Sequence, residues 1–432
     1  TDSMLDMLKA AGANIVEFDE KADIYIVNTC SVTNIADKKS RQMLHRARKM
    51  NPDGIVIAAG CYVQSAREIL EQDEAIDIVI SNNKKKSITE IVNDYINVRN
   101  NEKNAPGKDH EAMEYFVDIS RETEYEEMGG HVPVGHTRAY VKIQDGCNQF
   151  CSYCIIPYVR GRIRSRSQEA ILAEVSELAE AGIKEVVLTG IHISSYGKDK
   201  NNEGALIELI EAISKIKGIK RIRLGSLEPG IITEEFVERI SSNSKVCPHF
   251  HLSLQSGCDS VLKRMNRKYT CEQYFEKCDM LRKAYKSPAL TTDVIVGFPG
   301  ETEEEFAETV RYLTELNLYE MHIFKYSPRK GTVAAAMKEQ VSPEIKNERS
   351  DVLLKLAHDN KTAYESQFEG CELEVLVEEV VKKNNKTYLR GHTERYMDIL
   401  IDVGDISMPE SFVNSFVYVT YTQNGGNLPL LL

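Results

Sequence analysis

Over the first hundred residues, apolar positions switch between two periods. Residues 3–12 carry apolar side chains at helical spacing and stop at Gly12. Residues 24–27 are a short apolar run of the kind a strand buried on both faces requires, and 55–59 and 76–80 repeat it. Residues 38–49 read as a helix with a basic face. Strands alternating with helices predict a parallel sheet covered by helices, an α/β domain over 1–99. The polar stretch 100–135, with Pro106, Gly107, Gly129, Gly130 and Pro133, has little periodicity and predicts a linker. Strand-like runs then recur at 139–143, 185–188, 221–224, 249–254, 290–296 and 320–324, separated by helical stretches. Six such units in succession predict a partial (β/α)6 barrel over 136–362, closed by a long helix near 343–368. Short runs at 373–381, 387–390, 397–403 and 412–421 predict a small antiparallel β-barrel over 363–428.

A chain of 432 residues has room for several cores of this kind. No apolar run approaches the roughly 20 residues that span a bilayer, and no basic-then-apolar segment leads the sequence, so a cytoplasmic protein without a membrane partner is expected. The net charge of −12 speaks against general attraction to nucleic acid. Local clusters change that picture. The basic helix at 38–49 and the alternating Arg160, Arg162, Arg164 and Arg166 could each hold phosphates, or be solvated faces only.

Ten cysteines in a chain without secretory features suggest metal binding and reduced thiols. Cys147, Cys151 and Cys154 lie within eight residues. Three thiolates at this spacing suit three irons of a [4Fe–4S] cluster and leave the fourth iron open for chemistry. A structural zinc site is the alternative, with His131 or His136 completing the ligands; zinc prefers four, often as paired Cys-x-x-Cys, and only Cys151 and Cys154 have that spacing. Cys30 and Cys61 each follow a predicted strand, at the edge where ligands collect in parallel sheets, and could approach one another there. Cys247, Cys258, Cys271, Cys278 and Cys371 fit no ligand spacing and are expected to be buried or incidental thiols.

The pattern Cys-x-x-x-Cys-x-aromatic-Cys, with Tyr153 in the aromatic slot, resembles the signature of radical S-adenosylmethionine enzymes. The flanks Thr137–Gly146 and Ile155–Gly161 look like the methylthiotransferase branch. What that branch implies is an open iron that chelates S-adenosylmethionine and, after reductive cleavage, a 5′-deoxyadenosyl radical. Asn28–Asn34 and Gly60–Tyr62 look like two of the three motifs by which the family's N-terminal domain holds a second [4Fe–4S] cluster, so the resemblance makes Cys30 and Cys61 metal ligands. The third motif would precede Thr1, and the sequence is read as truncated there. By the same resemblance Gly190, Glu228, Gln255 and Ile295, each near the end of a barrel strand, join Tyr153 around S-adenosylmethionine. The C-terminal domain resembles the tRNA-binding TRAM domain. Because its copy here is acidic, base contacts through Tyr388, His392, Arg395 and Tyr396 are expected in place of phosphate attraction.

The stretches Thr29–Gln42 and Lys142–Cys147 look most like the type that methylthiolates C2 of N6-threonylcarbamoyladenosine beside the tRNA anticodon. An anticodon stem-loop and a flavodoxin- or ferredoxin-type electron donor are the implied partners. A purine C2–H is neither acidic nor electrophilic enough for ordinary acid–base attack, which gives a carbon radical its purpose. Methylthiolation of isopentenyl-adenosine, or of a ribosomal-protein aspartate, would use the same chemistry. A zinc-bearing RNA-binding protein is the alternative of another class.

Overall fold

The computed structural model describes residues 2–31, 33–102, 113–130, 137–384, 386–404 and 408–422. The chain divides into two compact units. Thr1–His131, Asp145–Arg166 and Ser327–Ala336 make the first; Val132–Gln144, Ser167–Tyr326 and Met337–Leu432 make the second.

In the first unit β1 (Ile24–Thr29), β2 (Ile55–Gly60), β3 (Ile78–Ile80) and β4 (Met113–Tyr115) form a parallel sheet in that order. Every residue of β2 is buried, as a strand covered on both faces must be. Its side chains alternate. Ile55, Ile57 and Ala59 pack with Met4, Leu8, Ile88 and Ile91, while Val56 and Ala58 pack with Tyr25, Leu44, Ala47 and Tyr62. The helix Asn34–Met50 starts where the Thr33 hydroxyl accepts the Ala36 N–H at 3.2 Å, and it buries the stripe of Ser40, Leu44 and Ala47.

The strand β4 falls inside the stretch that reads as a linker. The residues after it also belong to this unit: Val117 N–H donates to Ser81 Oγ (3.0 Å), Lys86 N–H to Glu126 Oε1 (2.9 Å), and Arg166 pairs with Glu127 (2.6 Å). Three residues are too few to show a period, so β4 is specified by its partner β3 and not by its own pattern. The remainder of the linker reading, 103–112 and 131–135, lies outside the described residues.

β5 (Arg138–Asp145) leads into the cysteine segment, and the two-residue β6 (Arg164–Ser165) follows that segment. The barrel of the second unit continues with β7 (Glu185–Gly190), β8 (Arg221–Leu224), β9 (His249–His251), β10 (Ala289–Val296) and β11 (Glu320–Lys325). β5, β7 and β8 pair in parallel, as do β9, β10 and β11, and the bridges Ile222↔Val246 and Leu227↔Leu252 join the two arcs. Val141, Val186, Ile222, Phe250 and Val294 turn outward into one core with the surrounding helices. The alternate residues point inward. At the barrel floor the fully buried Glu185 meets Arg138 Nε at 3.0 Å, Arg223 Nε at 2.9 Å and Arg221 Nη1 at 3.8 Å.

After the helix Pro343–Ser366 come β12 (Glu372–Lys383), β13 (Lys386–Thr393), β14 (Asp398–Asp402) and β15 (Phe416–Thr420), an antiparallel sheet in the order β14-β13-β12-β15 with a bulge between Val377 and Glu379. Tyr396 seats this sheet on the barrel floor. Its ring lies 4.9 Å from the Arg138 guanidinium and 4.8 Å from that of Arg223, stacks on His392 at 4.6 Å, and its hydroxyl accepts from Arg138 Nη1 at 2.9 Å. Arg395 donates to the carbonyls of Ser287 (3.0 Å) and Lys286 (2.9 Å). His392, Arg395 and Tyr396 therefore work inside the protein and not as the base contacts their chemistry suggests; only Tyr388 of that set is outside this seat. A flat polar ring suits a guanidinium as well as it suits a base. Among the described residues no helix is long and apolar enough to cross a membrane.

Candidate functional site

In the first unit the cysteine segment is pinched at its neck. Gly146 has φ +73°, and a Cβ there would lie 1.8 Å from the Arg162 carbonyl oxygen. Only glycine fits that approach. Cys147 N–H donates to the Gly161 carbonyl at 3.0 Å, which closes the neck. Inside it, Cys154 N–H donates to Cys151 O at 2.9 Å, and Phe150 adopts a left-handed φ of +50°. The Cys147 sulfur is nearly buried and accepts the Gln149 N–H at 3.4 Å; Cys151, Tyr153 and Cys154 are half-buried. Three thiols in one pinched segment, with a backbone N–H aimed at one of them, fit thiolate ligation of iron. The segment is also tied down from outside, because Ala334 N–H donates to Ser152 O at 2.8 Å. Arg329 of the same stretch donates to Asn34 and Asp37, both at 2.7 Å.

Cys30 and Cys61 follow the paired residues Thr29↔Gly60 at the ends of neighbouring strands β1 and β2. Gly60, at φ +106°, makes the turn into Cys61, where a Cβ would meet the Thr29 carbonyl at 2.5 Å. Cys30 is exposed and Cys61 is buried. Cys61 packs against Ile155 and Val159, the residues just after Cys154, and its sulfur accepts from Arg160 Nε at 2.9 Å. Asn82 Nδ2 lies 3.8 Å from the same sulfur. The structure thus brings Cys61 against the segment that carries the three clustered cysteines. Two thiols with cationic and amide donors around one of them fit part of a second ligand set.

Three of the four arginines after the motif, Arg160, Arg164 and Arg166, are engaged inside the protein. Arg160 pairs with Asp145 at 3.3 Å as well as with Cys61; burial opposes its charge, and Asp145 and Cys61 outweigh that and hold its pKa above the ordinary value. Arg164 is fully buried and donates to the Arg162 carbonyl at 3.1 Å, and Arg166 is engaged by Glu127. Arg162, stacked over Phe150 at 4.6 Å, is the exposed member. An i, i+2 pattern alone could not distinguish a strand-like outer face from arginines drawn inward by Asp145 and Glu127. The zinc candidates His131 and His136 lie outside the described residues. Cys247 and Cys278 are buried, and burial pushes their thiols up to about 11 and about 12, as inert core thiols require.

In the second unit Gly190, Glu228, Gln255 and Ile295 stand at the C-terminal strand ends. A Cβ on Gly190 would lie 2.9 Å from the Gln144 carbonyl. Gln144 Oε1 accepts from His192 N–H at 2.8 Å, and His192 Nε2 in turn lies 3.2 Å from Glu228 Oε2. Arg267 Nη2 donates to that same oxygen and to Ser253 O, both at 3.1 Å. Burial would raise the Glu228 carboxyl, but His192 and Arg267 hold it below its ordinary value. Gln255, at φ +77°, receives Ile295 N–H on its carbonyl at 2.9 Å. A left-handed non-glycine at a strand end is strain of the kind found at ligand sites. Sequence patterning did not single out His192 or Arg267, since neither falls on a motif and each is recognisable only through Glu228.

The chain matches two family models, the Radical SAM superfamily over residues 141–313 and Uncharacterized protein family UPF0004 over residues 1–81. It is 39% identical to the threonylcarbamoyladenosine tRNA methylthiotransferase MtaB of Bacillus subtilis, across 93% of this chain and 86% of that protein. The MtaB of Aquifex aeolicus is 37% identical, across 92% and 94%. A tRNA-2-methylthio-N(6)-dimethylallyladenosine synthase of Thermoanaerobacter pseudethanolicus is 35% identical, across 98% and 88%. Among solved structures, the radical S-adenosylmethionine methyltransferase TsrM of Kitasatospora setae, with cobalamin and a [4Fe-4S] cluster bound, superposes with a TM-score of 0.54 at 16% identity, covering 72% of this chain and 66% of that one, a likeness of fold. With both family models matched and such relatives aligned nearly end to end, the chain belongs to the radical S-adenosylmethionine methylthiotransferases, enzymes that work with S-adenosylmethionine and [4Fe–4S] clusters.

Proposed function

We propose that this protein adds a methylthio group to C2 of N6-threonylcarbamoyladenosine beside the anticodon of tRNA, in the cytoplasm. The observation that carries the reading is the packing of Cys61 against Ile155 and Val159, which joins two sets of cysteines in one unit. Cys147, Cys151 and Cys154 hold one [4Fe–4S] cluster, and Cys30 and Cys61 supply ligands to a second. When bound, the clusters and S-adenosylmethionine supply a carbon radical able to take hydrogen from a purine C2–H, and the sulfur that replaces it. The chain's own part is to bind and orient. Tyr153, Gly190, Glu228, Gln255 and Ile295 hold S-adenosylmethionine, and the fixed charge of Glu228 keeps an anionic acceptor available for the nucleotide's donors. Arg160 steadies the Cys61 sulfur.

The RNA is an anticodon stem-loop, whose bases unstack at small cost. The exposed Lys38, Lys39, Arg41 and Lys49 of the helix Asn34–Met50, with Arg162, offer it phosphate contacts. A flavodoxin or ferredoxin supplies the electron. The two relatives' substrates differ in their N6 group, and the greater likeness to the MtaB proteins favours threonylcarbamoyl.

Anaerobically reconstituted protein, given reductant, S-adenosylmethionine and tRNA carrying the threonylcarbamoyl nucleoside, should release 5′-deoxyadenosine and the 2-methylthio nucleoside by mass spectrometry. Cys151→Ala should release neither and should lose iron. Bound zinc without acid-labile sulfide, or product from the dimethylallyl nucleoside alone, would overturn the proposal.

A further inference from the structure

Three polar side chains inside the barrel take no part in the arrangement above. His251, Asp293 and His322 stand on the adjacent strands β9, β10 and β11, with Asp293 paired to His322 and Thr291 to His251 in register. Phe250, Leu252, Val294 and Met321 alternate with them and enter the helix-facing core, which puts the three on the inward row. Their nitrogen and oxygen atoms lie within 4.8 Å of one another. His251 Nδ1 hydrogen-bonds Thr291 Oγ1 at 2.9 Å, and its ring stacks on that of His322, centroids 5.8 Å apart and planes 25° off parallel.

The trio is incompletely satisfied. His251 Nε2 is buried 3.4 Å from Asp293 Oδ2 without a hydrogen-bond partner. Exposure rises across the group, from 13% for the His251 side chain and 29% for Asp293 to an exposed His322, so it is open from one side. Phe324, two residues along β11, stands half exposed beside that opening. A buried, unpartnered ring nitrogen beside a carboxylate, at a site open from one side, is costly unless a ligand completes it.

We propose that His251, Asp293 and His322 form the subsite for the N6 substituent of the target adenosine, and that they take a ureido-linked hydroxy acid and not a hydrocarbon. The inference rests on the functional reading above and adds to it the residues that choose between its two nucleosides. The imidazole N–H groups donate to a carboxylate or ureido carbonyl, and Asp293 accepts from a hydroxyl or ureido N–H. A dimethylallyl group in the same place would cover all three without offering any a partner. Sites built on hydrogen bonds reject analogues that lack them far more steeply than apolar pockets reject a different hydrocarbon. Imidazoles flanking a carboxylate also suit a metal ion, which the experiment separates.

The test uses reconstituted full-length chain and three synthetic anticodon stem-loops that carry threonylcarbamoyl-adenosine, dimethylallyl-adenosine or plain adenosine. The reading is kcat/KM for each methylthio product. Wild type should prefer the threonylcarbamoyl loop. His322→Leu and Asp293→Asn should each lower that preference over the dimethylallyl loop by about tenfold or more. Because His322 is exposed, its variant carries the test if Asp293→Asn fails to fold. A preference unchanged within about twofold in His322→Leu overturns the inference, as does one tightly held zinc per chain that both variants lose. A wild type inactive on every loop overturns the functional reading itself, and the two failures are thus distinct.

Discussion

Glu185→Gln tests the construction of the barrel floor. The substitution removes the carboxylate that Arg138, Arg221 and Arg223 share. Arg138 keeps Glu378, and Arg221 keeps Glu374 at 3.0 Å. Arg223, 4% exposed, keeps the backbone carbonyls of Glu394 at 2.9 Å and Thr393 at 3.2 Å but no carboxylate among the described residues. Breaking a buried pair from one side costs about 3–5 kcal/mol, because the remaining charge stays buried without its counterpart. At about 2–4 °C per kcal/mol for a domain of this size, the unfolding midpoint of the second unit should fall by roughly 6–20 °C. Scanning calorimetry of anaerobically purified wild type and variant measures it. Arg390→Ala is the control: its exposed pair with Asp398, at 2.8 Å, should be worth only about 0–1 kcal/mol.

The same carboxylate fixes a pH signature. Burial would raise Glu185 above its ordinary 4.5, but Arg223, Arg138 and Arg221 outweigh that and hold it lower. Its ionised state therefore contributes stability that is present above the unfolded value of 4.5 and is lost as pH falls through the lower folded value. The difference between wild type and Glu185→Gln should shrink on acidification below that point. A variant within about 1 kcal/mol of wild type at neutral pH, or a gap that stays constant in acid, would refute the argument.

Two further outcomes follow from the first unit. Gly146→Ala would force a Cβ to 1.8 Å from the Arg162 carbonyl at a φ of +73°, so the neck cannot close and the protein should bind less iron on reconstitution; full iron content would count against this account. Arg160→Gln removes the donor at 2.9 Å from the Cys61 sulfur. Hydrogen bonds to cluster sulfur and nearby positive charge favour the reduced state, so the cluster held there should show a lower reduction potential in an EPR-monitored titration, and an unmoved potential would speak against the contact.

The architecture was legible wherever a period of two or 3.6 ran long enough. β2 with its unbroken apolar run, and the six barrel strands from β5 to β11, fall where their patterns put them. β4 was not legible, because three residues hold no period and its partner lies far back in the chain. The strand expected at 249–254 stops at His251, and beyond it only the single bridges Leu227↔Leu252 and Gln255↔Val294 continue the ladder. Cys147, Cys151 and Cys154 announce themselves by spacing. Arg160, His192 and Arg267 do not, because their meaning lies in a partner that is close in space and distant in sequence. Asp293 carried a signal that passed unused: an acid between two threonines and an apolar run in one strand. Tyr396 and His392 misled because stacking on arginine and stacking on a base ask for the same side chain.

The seat of Tyr396 bears on modularity. A C-terminal sheet that lends the Tyr396 ring to Arg138 and Arg223 and the Phe416 ring to Arg221 is not a detachable accessory. Cutting the chain before β12 would leave Arg138, Arg221 and Arg223 with Glu185 alone, three cations to one anion at an open rim. A chimera carrying a relative's C-terminal sheet would have to import the matching tyrosine and glutamates, and it would otherwise fail in the barrel and not in the graft.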